Sequence, residues 1–312
     1  MKIRIISAVV GMVVLVGVLA CPYTIALAIA AAALSAVAVW ELLYNTGKVK
    51  NLVQVIGGML VSAAGVMGMH FWSVASCQSI VQTGEAHFAF EEQAIQWSLV
   101  LSALPLVYGL FTLVVWLCTF KKTTLNNACY GYLLTLYPTI GFGSLVMLRE
   151  VPEYSQLDLW PVILLLSIAW VSDTGAYFVG TFLGKHKMAP KISPKKSWEG
   201  FFGGWIISVA FAVGLFILRF EMSDYNIGGM FQSLYFFLPV VVVLVPLSVV
   251  GDLLASVIKR RTGIKDFGNI MPGHGGVMDR FDSVVFIAPM LCYVLYNQSL
   301  FAGLLIDFYA LF

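Results

Sequence analysis

Four aspartates, a crowded run of lysines and a glycine-rich turn are the groups in this chain with chemistry to offer, and their spacing sorts them. Asp173, Tyr177, Gly180 and Gly184 recur at i, i+4, i+7 and i+11 of an otherwise apolar run, so a helix would place them on one stripe. An ionisable group inside such a run is costly, which makes Asp173 a functional candidate; the plainer reading is a carboxylate that ties two helices together. Gly180 and Gly184 form a GxxxG pair, whose ordinary use is helix packing. Asp252, Ser256 and Lys259 repeat the i, i+4, i+7 spacing and turn a carboxylate, a hydroxyl and an amine the same way. Arg260 and Arg261 follow, for which snorkelling toward lipid headgroups is the ordinary reading.

Two polar loops carry the rest. In KMAPKISPKKSWEG, residues 187–200, Pro190 and Pro194 exclude a helix, and Ser193, Lys195, Lys196 and Ser197 abut the start of one at Trp198. Cations, hydroxyls and a helix N-terminus together read as a grip for phosphate, against the alternative of a basic loop resting on anionic headgroups. The second loop, 252–282, contains Pro272-Gly273-His274-Gly275-Gly276, where backbone can approach a ligand closely and N–H groups can form an anion nest. Asp279, Asp282 and Ser283 come directly after it. Carboxylates beside cations and a glycine turn point to a divalent metal carrying phosphates, and Mg²⁺ suits that set because it takes one or two carboxylates plus phosphate oxygens. Zinc suits it less, since His274 is the loop's only histidine and no thiolate is near. His70, His87 and His186 are isolated and read as having no chemical role; the five scattered cysteines read as small apolar residues.

The elements that must position these groups are membrane helices. The 312 residues are 60% hydrophobic and 11% charged, with mean hydropathy +0.90, against about 25% charged for a soluble chain. An all-α, polytopic integral membrane protein follows. About nine runs reach the length of roughly 20 residues that a span needs, near 4–20, 23–43, 52–76, 96–119, 128–148, 158–182, 199–219, 231–251 and 283–308. The first resembles a signal peptide, but Pro22 and a second apolar run follow Cys21 at once, so it is expected to stay as a helix. Alternate connections collect the basic residues, leaving only Arg149 and Arg219 of the 18 on the other side. By the positive-inside rule the N-terminus and both basic loops, 183–198 and 252–282, are cytoplasmic, with the C-terminus opposite. The expected division is an N-terminal set of about five spans, 1–150, and a C-terminal catalytic set of about four, 151–312.

One set of motifs is more specific than any of these patterns. Ser256-Val-Ile-Lys259-Arg260, then Lys265-Asp266, then Pro272-Gly-His274-Gly-Gly276 and Asp279-Arg280-Phe-Asp282 closely resemble the signature of phosphatidate cytidylyltransferases, the CDP-diacylglycerol synthases. Asp173-x-x-Ala176-Tyr177-x-x-Gly180 and Ser193-Pro-Lys195-Lys196-Ser-Trp198-Glu199-Gly200 are similar to that family's other marks; Ser197 stands for a usual threonine and Met271 for a leucine or isoleucine. The resemblance covers roughly residues 165 to 290 in detail. It implies a bacterial inner-membrane enzyme, its site facing the cytoplasm, that transfers CMP from CTP to phosphatidic acid, releasing pyrophosphate. Asp252 and Asp279 are then expected as metal ligands for Mg²⁺, with Asp282 supporting, and a second metal ion fits the same chemistry. Lys259 and Arg280 would stabilise the transferring or leaving phosphates. Asp173, Ser193, Lys195, Lys196, Ser256, Arg260, Lys265, Asp266, His274, Gly275 and Gly276 would bind substrate. A phosphomonoester is already largely dianionic at neutral pH, so no general base is required and His274 is expected as a contact. The partners expected are CTP, phosphatidic acid and the bilayer, with no nucleic acid; a homodimer stays open. The alternatives are a related membrane lipid kinase or nucleotidyltransferase, using another nucleotide or another lipid, and an ion-coupled transporter with Asp173 and Asp252 on its pathway.

Overall fold

Backbone polar groups in hydrocarbon must be satisfied within their own segment, so long apolar runs of this kind become helices. The computed structural model describes the backbone at residues 10–11, 13–19, 25–83, 86–121, 123–149, 159–221, 227–270, 273 and 275–297, and side chains there outside 75–101 and 220–233. The helices are α1 (Ala26–Trp40), which ends in one π-helical turn (Glu41–Asn45), α2 (Leu52–Thr83), α3 (Ala86–Thr119), α4 (Leu125–Arg149), α5 (Trp160–Leu183), α6 (Trp198–Glu221), α7 (Ile227–Thr262) and α8 (Met278–Tyr296). Seven stretches among the described residues are long and apolar enough to cross a membrane, from Ala26–Asn45 through Leu234–Thr262. The chain is thus a multi-pass, helical membrane protein. Of the first and last expected spans, residues 10–11, 13–19 and Met278–Tyr296 are helical; residues 4–9, 12, 20 and 298–308 lie outside the described residues, as do Cys21 and Pro22.

The helices differ in what they face. Leu106, Leu110 and Leu117 of α3 are among its many exposed apolar residues, the surface expected against lipid. α4 runs through the interior instead, and its small residues allow it. A Cβ on Gly141 would lie 2.4 Å from Val285 Cγ1, so α4 and α8 cross at a separation that only glycine permits. Hydroxyls tie the N-terminal helices together: Ser35 Oγ meets Ser62 Oγ at 2.5 Å, Thr139 donates to Ser62 at 2.8 Å, and Tyr108 OH meets Thr135 Oγ1 at 2.8 Å.

The α5–α6 seam brings two backbones into contact. A Cβ on Gly175 would stand 3.1 Å from Gly204 Cα, and one on Gly204 would stand 2.5 Å from the Ser172 carbonyl oxygen. Gly180 faces Gly200 in the same way, so the GxxxG glycine does serve packing.

The first basic loop has regular structure that its prolines do not announce. It is a hairpin of β1 (Lys187–Ala189) and β2 (Ser193–Ser197), antiparallel, with Lys187 opposite Ser197 and Ala189 opposite Ser193. Pro190 enters the turn, which Ile192 N–H closes by donating to the Ala189 carbonyl at 3.1 Å. Pro194 is tolerated because a two-stranded sheet leaves each strand an outward edge. Trp198 N–H donates to the His186 carbonyl at 3.0 Å, so the hairpin runs straight into α6.

The two arginines that the charge pattern set apart are anchored away from the lysines. Arg149 Nη1 donates to the Leu19 carbonyl at 2.8 Å, and the Arg219 guanidinium lies 5.4 Å from the centre of the Trp160 ring.

Candidate active site

The C-terminal halves of α5 and α7, the hairpin and the first turn of α6 build a cavity of about 260 Å³. Asp173 of α5, Asp252 of α7, and Ser193, Lys195 and Lys196 of β2 all line it, with Tyr177 at its side. The expectation that α5 and the lysine run share one site therefore has a geometric counterpart. Lys196 Nζ forms an ion pair with Asp252 Oδ2, and this buried ammonium has no hydrogen-bond partner among the described residues. A buried ammonium has three donors, so this one has capacity left for an anion.

Ser197 is different from its neighbours. It is buried, and its Oγ accepts the Gly200 N–H at 3.2 Å, which makes it a cap on the first turn of α6. Glu199 accepts the His186 N–H at 3.1 Å and meets His186 Nδ1 at 2.6 Å, pinning the base of the hairpin. Arg260 Nε donates to the Ile192 carbonyl at 3.2 Å, so the hairpin tip is tied to the end of α7 and the two basic loops meet.

The glycine loop is organised around Asp279. Its Oδ1 accepts from Lys259 Nζ at 2.8 Å, and its Oδ2 accepts the N–H groups of Phe267 at 2.7 Å and Gly276 at 3.0 Å. One carboxylate thereby fastens both limbs of the loop to the first turn of α8, and Lys259 couples it to α7. Gly275 has φ +85°, and a Cβ there would press on Asp279 Oδ2 at 3.0 Å, so the turn requires glycine on both counts. Lys259 also lies 5.2 Å from the centre of the Phe267 ring.

The two aspartates expected to share a metal have different partners in the structure. Asp279 is occupied by Lys259 and the loop amides, whereas Asp252, Asp282 and Asp173 lie within electrostatic reach of one another, with Lys196 and Lys259 beside them. Asp282 is buried and accepts the Ser283 N–H at 2.8 Å. Among the described residues no three carboxylate, imidazole or thiolate groups stand as a ready-made metal cage. The set that is present, carboxylates of two helices facing a cavity with that of Asp282 within electrostatic reach, fits a hard ion that takes most of its oxygens from phosphates and water. Ser256 is half-buried on α7; Lys265, Asp266 and Arg280 are exposed at the same end of the molecule. His274, with Met271 and Pro272, lies outside the described residues.

Three residues that the motifs did not mark also reach this region. Tyr137 OH donates to the Asp282 carbonyl at 3.3 Å. Glu41 is fully buried at the end of α1 and accepts the N–H groups of Val277 and Met278, and Asn45 donates to the Phe267 carbonyl at 2.7 Å. Glu41 was visible as a lone carboxylate in an apolar run, the signal that singled out Asp173.

The sequence model of the Cytidylyltransferase family matches residues 2–297. The chain is also similar to proteins named phosphatidate cytidylyltransferase. It is 36% identical over 171 residues to that of Staphylococcus saprophyticus subsp. saprophyticus, covering 55% of this chain and 60% of the relative. It is 46% identical over 124 residues to that of Staphylococcus epidermidis, covering 40% and 44%. The Haemophilus influenzae protein is 37% identical over 175 residues, covering 54% and 58%. In each case the alignment spans 60% or less of the relative's length.

Proposed function

This chain belongs to the cytidylyltransferase family, and from that premise we propose that it transfers CMP from CTP to phosphatidic acid, giving CDP-diacylglycerol and pyrophosphate. The observation that carries the reading is the cavity between α5, α7 and β2, where a buried ammonium with donors to spare and two carboxylates sit beside the exposed ring of Tyr177. A membrane phosphate and a soluble triphosphate can meet at such a place. A phosphate oxygen of the lipid attacks the α-phosphorus of CTP, the new P–O bond forms, and the bond to the β-phosphate oxygen breaks as pyrophosphate leaves.

The difficulty of that reaction is the approach of two polyanions, so the protein's contribution is positioning and charge compensation. Lys196 and Lys195 hold phosphate in the cavity, with Ser193 donating from the strand. The loop that Asp279 fastens presents its backbone N–H groups to the triphosphate, and Arg280 faces the leaving pyrophosphate from the first turn of α8. Asp252 and Asp282 would hold Mg²⁺, with Asp173 near enough to hold a coordinated water or a second ion. When bound, the ion neutralises and aligns phosphate oxygens.

The site end of the bundle faces the cytoplasm in this reading, because the lysine-rich connections gather there and the nucleotide is soluble. The membrane in this reading is the cytoplasmic (inner) membrane of a bacterium, the relatives being bacterial. The deciding experiment uses protein purified in detergent, offered CTP or ATP with phosphatidate or a lipid alcohol. CDP-diacylglycerol from CTP and phosphatidate alone is the expected result; phosphorylation of the alcohol would establish a lipid kinase instead.

A further inference from the structure

The signature loop is held from the far end of the sequence. Glu41 Oε1 accepts the Val277 N–H at 3.0 Å and Oε2 accepts the Met278 N–H at 2.9 Å, the first free amides of α8. Those donors have no partner within their own helix, and the positive end of the helix dipole favours an anion there. The N-cap of α8 is therefore supplied by another helix, 236 residues away. The same carboxylate fills the space between the two limbs of the loop: a Cβ on Gly268 or on Gly276 would each come 2.4 Å from Glu41 Oε1. Asn45, four residues on, donates to the Phe267 carbonyl at 2.7 Å. Both side chains come from the single π-helical turn Glu41–Asn45, an irregularity that is rare and tends to mark functional places in helices.

From this arrangement we infer that Glu41, assisted by Asn45, is a positioning residue for the nucleotide half of the site. Glu41 touches neither reacting group. It fixes the register of the α8 first turn, which carries Asp279, Arg280 and Asp282, against a loop whose two limbs it separates. A glutamine in its place keeps one acceptor but turns an amide N–H toward the other backbone N–H, so one limb of the cap is lost and a donor faces a donor. The shift falls on the glycine loop and not on the lysines of β2, whose contacts with α7 do not involve α1.

The inference rests on the proposed cytidylyltransfer, and the test separates the two. Steady-state kinetics are measured with purified wild type, Glu41→Gln, Glu41→Ala, Asn45→Ala, Gly268→Ala and the double variant Glu41→Ala/Gly268→Ala, titrating CTP and phosphatidate separately. Wild type without CTP-dependent product would refute the proposed activity. With an active wild type, Glu41→Gln is expected to lose about ten- to a hundredfold in kcat/KM for CTP, the scale of one charge-assisted hydrogen bond. Its KM for phosphatidate is expected to stay unchanged, and Asn45→Ala should shift the same parameter by less. Gly268→Ala should be harmful alone and add nothing once Glu41 is alanine, because the atom it collides with is gone. If Glu41→Gln lowers kcat with both KM values intact, or if the Gly268 and Glu41 effects multiply, Glu41 is a stability residue and the inference fails. Should Glu41→Gln not accumulate, the Asn45→Ala split between the two KM values decides alone.

Discussion

Lys196 with Asp252 and Lys259 with Asp279 are the same pair of residue types at the same end of the bundle, yet they are built for different work. Asp279 is 6% exposed and both its oxygens are engaged, by an ammonium and two loop amides. Asp252 is 25% exposed, lines the cavity, and faces a lysine whose ammonium, paired with this one carboxylate, keeps further N–H donors for a ligand. A saturated pair resists exchange, since removing one partner leaves the other buried and uncompensated. A pair with spare donors can trade its contact for a ligand. The difference teaches that residue type and motif membership do not separate a staple from a binding group; the count of satisfied lone pairs and donors does.

That contrast can be broken experimentally. Asp252→Asn is expected to have the largest effect on catalysis, at least about a hundredfold in CDP-diacylglycerol formation, with thermal stability in detergent unchanged. Treatment with excess chelator is expected to abolish product formation and added Mg²⁺ to restore it; activity that survives the chelator would remove the metal from the reading. Asp279→Asn should do what Asp252→Asn does not and lower stability, by about 3 kcal/mol, seen as an earlier melting transition. Equal melting temperatures for the two variants would erase the distinction between staple and binding group. The smallest effect is expected from Arg260→Ala, about twofold in kcat/KM, because an exposed side chain tying the hairpin tip to α7 is of minor weight. A hundredfold loss there would mean that Arg260 contacts phosphate directly.

The helical architecture was legible because hydrocarbon leaves an apolar run few alternatives, and seven of the expected spans appear among the described residues as helices long and apolar enough to cross a membrane. The site was legible in parts. Asp173 and Asp252 stood out as charges in apolar runs, and they do line one cavity with the lysines of β2. The partition among the aspartates was not legible, because Asp279 is defined by the amides of Phe267 and Gly276, and backbone donors leave no mark in a sequence. The hairpin escaped notice because Pro190 and Pro194 read only as breakers, whereas one occupies a turn and the other an edge. Glu41 escaped because its partners are main-chain groups more than 200 residues distant.

The contact between the α5 and α6 backbones has a mechanical consequence. Where Gly175 meets Gly204 and Gly180 meets Gly200, backbone packs on backbone with only the closely held side chains of Ile207, Ala176 and Ser197 beside it, so little can rearrange and the pair moves as a rigid plank. The hairpin, growing directly out of α6, is carried with it. Widening of the cavity around the proposed lipid substrate would therefore fall to the boundary with α7, where side chains such as Trp205 and Ser248 lie between the helices.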